Sequence, residues 1–296
     1  MAEIITLKPK PKDYFPQESE LYFDTWERPC YFSGKNNKYY QDNNHKHIVR
    51  MFDDKPLSLG VVGRNYNKLD NKTLCQNIEE TFTEALEHEQ LLGVEVRDKW
   101  SYNGGLSIRQ YIFKNIRADI ESRNSDLAFR TIIVNGYDGS SSFKFYNGAI
   151  DFFCDNGMVS GIYDMTIRKH TKGLTIPRLL NKVKVSIEIF FTQAEQWKHW
   201  VGKEIKDEDA KECYESFPNA SERMVEKLMR QFHIECMSHG RTVWALYSAA
   251  TSYASHSAGE FVVRETGQDH AASTLLNRER QVRSWVETDS FLKIAA

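Results

Sequence analysis

The sequence contains no Gly-x-x-x-x-Gly-Lys-Ser/Thr segment, no Gly-x-Ser-x-Gly and no Cys-x-x-Cys pair. The missing phosphate loop and nucleophile elbow count against the common ATPases and hydrolases. Nowhere do eighteen apolar residues run together, so no membrane-spanning helix is expected. No apolar run follows the first charges, so no signal peptide is expected either. Charge of one sign is not in excess: the net charge is −2 and the pI is near 6.5. That excludes a chain basic all over, which would coat nucleic acid by bulk charge, and leaves room only for a local patch. The five cysteines (Cys30, Cys75, Cys154, Cys213 and Cys236) are odd in number and scattered. Such usage suits a reducing compartment in which thiols serve as small core residues. The expectation is a soluble cytoplasmic protein with no membrane partner and no cofactor.

What the 296 residues do have is enough apolar content, 41%, for a sizeable core. Aromatic content is 12%, with 14 Tyr and 17 Phe. These rings pack cores and sheets, or stack on bases and partners where they are exposed. The first part of the chain differs from the rest. Prolines in Lys8-Pro9-Lys10-Pro11-Lys12 predict extended backbone. The pairs Tyr14-Phe15, Tyr22-Phe23, Tyr31-Phe32 and Tyr39-Tyr40 predict an irregular arm, pinned by its rings. The polar stretch from Asn36 to His47 predicts a loop.

Beyond the arm, Leu74, Ile78, Phe82 and Leu86 recur on one helical face, predicting a helix over 72–91 with Thr73 and Gln76 at capping-box spacing. Strands are predicted at 93–100, 106–114, 127–135, 143–147, 149–154 and 158–163, separated by Gly- and Asn-rich turns. Sequential hairpins imply antiparallel pairing. A heptad seam (Ile176, Leu180, Val183, Ile187, Phe190, Ala194, Trp197, Val201) predicts a long helix, capped at Thr175 with Pro177 in its first turn. It either crosses a sheet or forms a helix–helix seam in an oligomer. Helices follow from Ser221, from Thr242 and over 271–286. The expected architecture is α+β, an antiparallel sheet of four to six strands packed by a long helix, with a helical C-terminal part. Its divisions are an arm over 1–55, a core over 56–205 and a helical region over 206–296. The charged stretch 202–218 is a boundary or a surface loop.

Few residues suggest chemistry. His233 and His239, with Cys236 and Glu235, resemble a metal cluster, but residues six apart on a helix lie about 120° apart. His45 and His47 lack a third ligand. Asp138, Asp151, Asp155 and Asp164 could hold a divalent ion for a nuclease. Asp138 and Asp155, however, sit in apparent turns, where Asp is favoured for its backbone bonding. The basic junction is more distinctive. Arg168, Lys169, Lys172, Arg178, Lys182 and Lys184 fall within seventeen residues that contain no acid, and His170 adds a titratable ring. A helix N-terminus with nearby lysines and arginines suits phosphate. A solvated helix face accounts for the same charges. A second basic cluster, Arg278, Arg280 and Arg283, is interrupted by Glu279. Tyr111, Phe145 and Tyr146 are the strand rings that would stack on bases if exposed.

Several segments occur in a telling order: Asn135-Gly-Tyr-Asp138-Gly139-Ser140, Cys154-Asp-Asn156-Gly157, Arg168-Lys-His170-Thr171, and Thr242-Val-Trp244 through Tyr253-Ala-Ser-His256. Together they resemble the phage/plasmid-like proteins that carry "domain of unknown function 932", from about Pro56 onward and best over 131–256. Asp151 stands where that pattern has a basic residue, and Ser248 where it has Asn. The resemblance implies a mobile-element or phage origin in a bacterial host, and no settled activity. By fold analogy, strands followed by a long helix look like the core of phage single-strand annealing proteins, which oligomerise and hold DNA in a basic groove. The expectation is a non-enzymatic, homo-oligomeric protein binding single-stranded DNA. The alternative is a protein-interaction role, as an anti-defence factor or virion-associated structural protein.

Overall fold

The computed structural model describes residues 10–35, 37–122, 126–151, 156–172, 174, 179–256 and 270–296. The fold is α+β, with two antiparallel sheets. The first sheet consists of β1 (Trp26–Ser33), β2 (Tyr39–Phe52) and β3 (Lys55–Gly63), in that order. It corrects the expected irregular arm, and the expected loop at 36–47 is largely strand β2. The polar run Gln41-Asp42-Asn43-Asn44 hides the strand because it faces solvent and needs no apolar alternation. Its pairing slips at Pro29/Cys30, where proline lacks a ladder donor.

Helix α1 (Asn71–Ala85) starts one residue before the expected 72, and Asp70 rather than Thr73 is its cap: the Thr73 N–H donates to Asp70 Oδ1 at 2.9 Å. The expected single helix is broken at Leu86, and α2 (His88–Leu91) follows as a separate turn. The second sheet then forms as a meander of β4 (Glu95–Ser101), β5 (Leu106–Ala118), β6 (Leu127–Gly136), β7 (Phe143–Asp151) and β8 (Asn156–Arg168). The two short strands expected at 143–147 and 149–154 are, through Asp151, the single strand β7 running through Gly148; 152–154 lie outside the described residues. The long helix is described from Leu180, as α3 (Leu180–Gly202); the expected cap at Thr175 and Pro177 lie outside the described residues. Its seam residues Val183, Phe190, Ala194 and Trp197 are buried against the sheet and neighbouring helices. The charged stretch after it is not a loop. It holds α4 (Asp207–Glu215), whose Ala210, Cys213 and Tyr214 are buried. Then come α5 (Glu222–His239), capped by Ser221 and ended by Gly240 at φ 70°, α6 (Val243–His256), α7 (Ala271–Val286) and α8 (Asp289–Ala295).

Every residue of β6 is buried, so the second sheet is covered on both faces, unusual for an antiparallel meander. On one face Phe113 and Phe129 meet Phe82 of α1 and Phe190 of α3. On the other, Ile108, Ile132, Val134 and Tyr146 meet Ala272 and Leu275 of α7. Each face also holds a buried arginine. Arg109 faces Glu79 of α1 at 3.5 Å and Asp98 of β4 at 3.2 Å. Arg130 meets Glu279 of α7 at 3.1 Å and the Gln110 side-chain oxygen at 3.1 Å. Gly157 of β8 leaves room for that guanidinium: a Cβ there would sit 2.5 Å from Arg130 Nη1. The two sheets meet closely at Gly60, where a Cβ would stand 2.5 Å from the Asp138 backbone.

Removing one member of a buried ion pair leaves the other charge unsolvated. Glu279→Ala is expected to cost about 3–5 kcal/mol, read from urea midpoints at pH 7. The double variant Arg130→Met/Glu279→Leu should recover most of that loss, because no lone charge remains.

Candidate nucleic-acid interface

The cationic junction begins where β8 leaves the sheet. Arg168 pairs in register with Phe143, the first residue of β7, and Lys169, His170, Thr171 and Lys172 follow it off the sheet edge. This short segment is fastened to the chain just after β3. Tyr66 and Thr171 form an isolated bridge. The Asn67 N–H donates to the His170 carbonyl at 3.1 Å. His170 Nδ1 donates back to the Asn67 carbonyl at 3.1 Å, and its ring stacks on Tyr66 with centroids 4.9 Å apart. The Tyr66 hydroxyl in turn donates to the Gly136 carbonyl at 2.6 Å. Three chain segments are thereby locked at one end of the sheet.

His170 therefore sits apart from the lysines it was grouped with. It is buried, and desolvation depresses its pKa, against smaller opposing effects of the Asn67 carbonyl and Asp138. A buried, neutral ring in that position holds the turn rather than a phosphate. Arg168, Lys169 and Lys172 are exposed. Lys184 is exposed on α3, while Lys182 is half-buried beside it and already engaged. Arg178 lies outside the described residues. The fold adds a cation that sequence reasoning missed: Arg64 and Lys172 line one open cleft of ≈ 340 Å³ with Asn65, Tyr66 and Asn67. Among the described residues, none of Arg64, Arg168, Lys169 and Lys172 is paired with a carboxylate.

The rings expected to stack on bases are not available. Tyr111, Phe145 and Tyr146 are all buried, because both faces of their sheet are covered. Among the described residues the most exposed rings belong to the β1–β2 hairpin: Tyr31 at 60%, Phe32 at 56%, Tyr39 at 78% and Tyr40 at 50% exposure. Phe32 and Tyr40 pair across the ladder with ring centroids 6.0 Å apart. The signal was in the sequence, as two aromatic pairs flanking Gly34-Lys35-Asn36-Asn37-Lys38, a Gly/Asn turn between β-formers. This hairpin rises directly from the basic cleft. The Arg64 N–H donates to the Asn44 carbonyl at 2.7 Å, and His45 opposite Gly63 is the last β2–β3 pair. From Asn44 to Tyr40 is about 13 Å of strand.

The other candidates resolve into local structure. Asp138 accepts from the Ser140 N–H at 2.9 Å and from its hydroxyl at 2.6 Å, which is turn chemistry. Asp151 is buried and engaged on β7; Asp155 lies outside the described residues. His233 faces Asp207 at 3.3 Å, and His239 is buried, bonded to the Ser122 hydroxyl at 2.7 Å. Among the described residues no three His, Cys, Asp or Glu side chains group as a metal site, and no helix is long and apolar enough to cross a membrane.

A family model with the description "Domain of unknown function (DUF932)" matches residues 58–281 of the chain. No curated protein and no solved structure matches it.

The depressed pKa of His170 has a consequence for the junction. The unfolded chain takes up a proton near the ordinary value of about 6.5, whereas the buried ring takes it up only at lower pH. Stability from this site is therefore complete above that value and is lost as pH falls through the folded pKa. Hydrogen exchange at the Asn67 amide, corrected for intrinsic rate, should accelerate between pH 7 and pH 5. In His170→Phe, which keeps a ring against Tyr66 without a titrating nitrogen, that acceleration should be absent.

Proposed function

The chain belongs to this family of unknown function, and on that footing we propose that it is a non-enzymatic nucleic-acid-binding protein that holds single strands at the β8 junction. One observation carries the reading: four cations without carboxylate partners stand beside a hairpin whose rings face solvent. Arg64, Arg168, Lys169 and Lys172 would contact phosphates without regard to sequence. Tyr39 and Tyr40, with Tyr31 and Phe32, would stack on bases in place of the buried strand rings. Stacking of this kind needs bases already unpaired, which favours a single strand over a duplex. Lys184, one to two turns into α3, would extend the phosphate track.

Strand annealing in mobile-element DNA, by several copies acting together in the cytoplasm of a bacterial host, is the finer part of the proposal. Its support is the outward side of α3, where Val185 and Ile189, one turn apart, are exposed and offer apolar surface to a second copy. A protein-docking role draws on the same exposed hairpin, because clustered rings also anchor protein interfaces.

Fluorescence anisotropy with a labelled oligonucleotide separates these readings. Binding is expected at low salt, with log Kobs falling by about 0.7 per phosphate contact for each unit of log salt. Arg64→Glu/Lys172→Glu should weaken binding at least tenfold and flatten that slope by about 1.4. Tyr39→Ala/Tyr40→Ala should cost about 1–3 kcal/mol per stacked base with the slope unchanged. Absence of binding at low salt, or an unaltered charge-reversal variant, would sink the reading. A pull-down partner that survives nuclease treatment and is lost in Tyr39→Ala/Tyr40→Ala would favour protein docking instead.

A further inference from the structure

The second basic cluster has a different setting on the opposite face of the sheet. Lys144 of β7 pairs in register with Ile167 of β8, and α7 crosses this face. The crossing encloses a pocket of ≈ 240 Å³ to which α7 contributes Arg280 and Arg283 and β7 contributes Lys144. Its apolar wall is formed by Tyr146, Met165, Ile167 and Leu276. Lys144 lies 136 positions before Arg280, so nothing in the spacing signals that they converge.

The charges in this pocket do not cancel. Among the described residues neither Lys144 nor Arg280 has a carboxylate partner. Arg283 is held by Glu287, from Nε to Oε1 at 2.9 Å, which leaves its terminal nitrogens outside that bond. Glu279 also lines the pocket, but its charge is committed. One oxygen accepts from Arg130 at 3.1 Å and the other from the Tyr146 hydroxyl at 3.4 Å. Two cations are thus brought together against apolar surface with no internal anion between them. Burial, and next the nearby Arg280 charge, lower the Lys144 pKa. An arrangement that makes a lysine less basic is relieved when an anion enters.

We propose that this pocket binds a phosphate monoester carried on a flat organic body, of the nucleotide class. A dianion neutralises both unpaired cations, whereas a single carboxylate would leave one uncompensated. The Arg280 guanidinium offers the planar fork that phosphate oxygens accept in pairs. At about 30 Å³ per water in the liquid, the cavity has room for several waters, more than inorganic phosphate fills. The apolar wall supplies surface for a ring. The phosphate sits at the Lys144–Arg280 side, where both cations lacking a carboxylate partner stand. Two sources carry this chemistry, a free mononucleotide and the phosphorylated end of a strand. The site is independent of the β8 junction and stands on its own residues.

Calorimetric titration of the full chain tests it with deoxyadenosine monophosphate, deoxyadenosine, inorganic phosphate, and a trinucleotide with and without a 5′-phosphate. The monophosphate is expected to bind saturably, with deoxyadenosine and inorganic phosphate each at least tenfold weaker. Lys144→Met and Arg280→Gln should each weaken it at least tenfold, while Arg64→Glu/Lys172→Glu leaves it unchanged. The last result separates this pocket from the junction, since the same double variant should lose single-strand binding. A 5′-phosphorylated trinucleotide tighter than the monophosphate assigns the site to strand ends, and the reverse order to free nucleotides. In the unaltered protein, the monophosphate should slow acylation of Lys144 by an amine reagent, read by mass spectrometry, which covers the case of a variant that fails to fold. No saturable binding with no protection of Lys144, equal binding in both pocket variants, or inorganic phosphate as tight as the monophosphate would each overturn the proposal.

Discussion

A sheet buried on both faces can carry charged side chains only where a covering element supplies the opposite charge, and this constraint organises the molecule. β5 and β6 each place one arginine in the interior, on opposite faces. Arg109 draws Glu79 of α1 onto one face, and Arg130 draws Glu279 of α7 onto the other. Apolar packing alone would let either helix slide by a residue at modest cost. An ion pair removed from water would not, because a slip strands both charges. Burial dominates even within the pairs: desolvation raises the Glu79 pKa to about 7, against the Tyr111 hydroxyl and Arg109, which pull it down. The sheet tolerates these charges because the helices over them are fixed, and the helices are fixed because the charges must be met.

The positions of both cationic sites follow from that fixing. Once α7 is set by Glu279, Arg280 and Arg283 are carried to the end of β7 where Lys144 stands. Once α1 is set, its first residue is tied to the end of β6. The Asn71 N–H donates to the Tyr137 hydroxyl at 2.9 Å, and its side chain reaches Asn135 at 2.7 Å. Those contacts steady the end of β6, where Tyr66 bonds the Gly136 carbonyl and stacks on His170. The exposed lysines of the junction owe their place to buried neighbours that carry no net charge themselves.

The second sheet was legible because its strands are continuous apolar runs interrupted by strong turn residues, as in 127–135 followed by Gly136-Tyr137-Asp138-Gly139. Ser221, Gly240 and Thr242 marked helix ends by local chemistry that tertiary contacts do not override. The misses have equally local causes. β2 is half polar, so it lacks the period-two signal by which strands are recognised. α4 opens Asp207-Glu208-Asp209, three acids that read as a solvated loop, although in a first turn they complement the helix dipole. Of the site, only the contiguous part was visible. Arg168, Lys169 and Lys172 are neighbours in sequence, whereas Arg64 joins them beside the Tyr66–Thr171 bridge and Lys144 meets Arg280 through the packing of α7 on the sheet, contacts across long separations that leave no trace in spacing.

The near-neutral total charge bears on how such a protein would hold a polyanion. With a net charge of −2, the long-range field does not concentrate nucleic acid around the whole surface, and beyond about 8 Å salt screens what remains. Affinity must then come from close contacts, and four surface cations contribute little at physiological salt if only charge is used. The rings of the β1–β2 hairpin change that balance, because base stacking is not screened by ions. A site that combines a short phosphate track with a stacking platform loses less affinity as salt rises than one built from cations alone. The same economy selects its ligand, since a duplex offers the phosphates but keeps its bases stacked on one another. An otherwise unremarkable excess of exposed Tyr and Phe at one hairpin tip is, on this argument, what would let a slightly acidic protein hold a single strand.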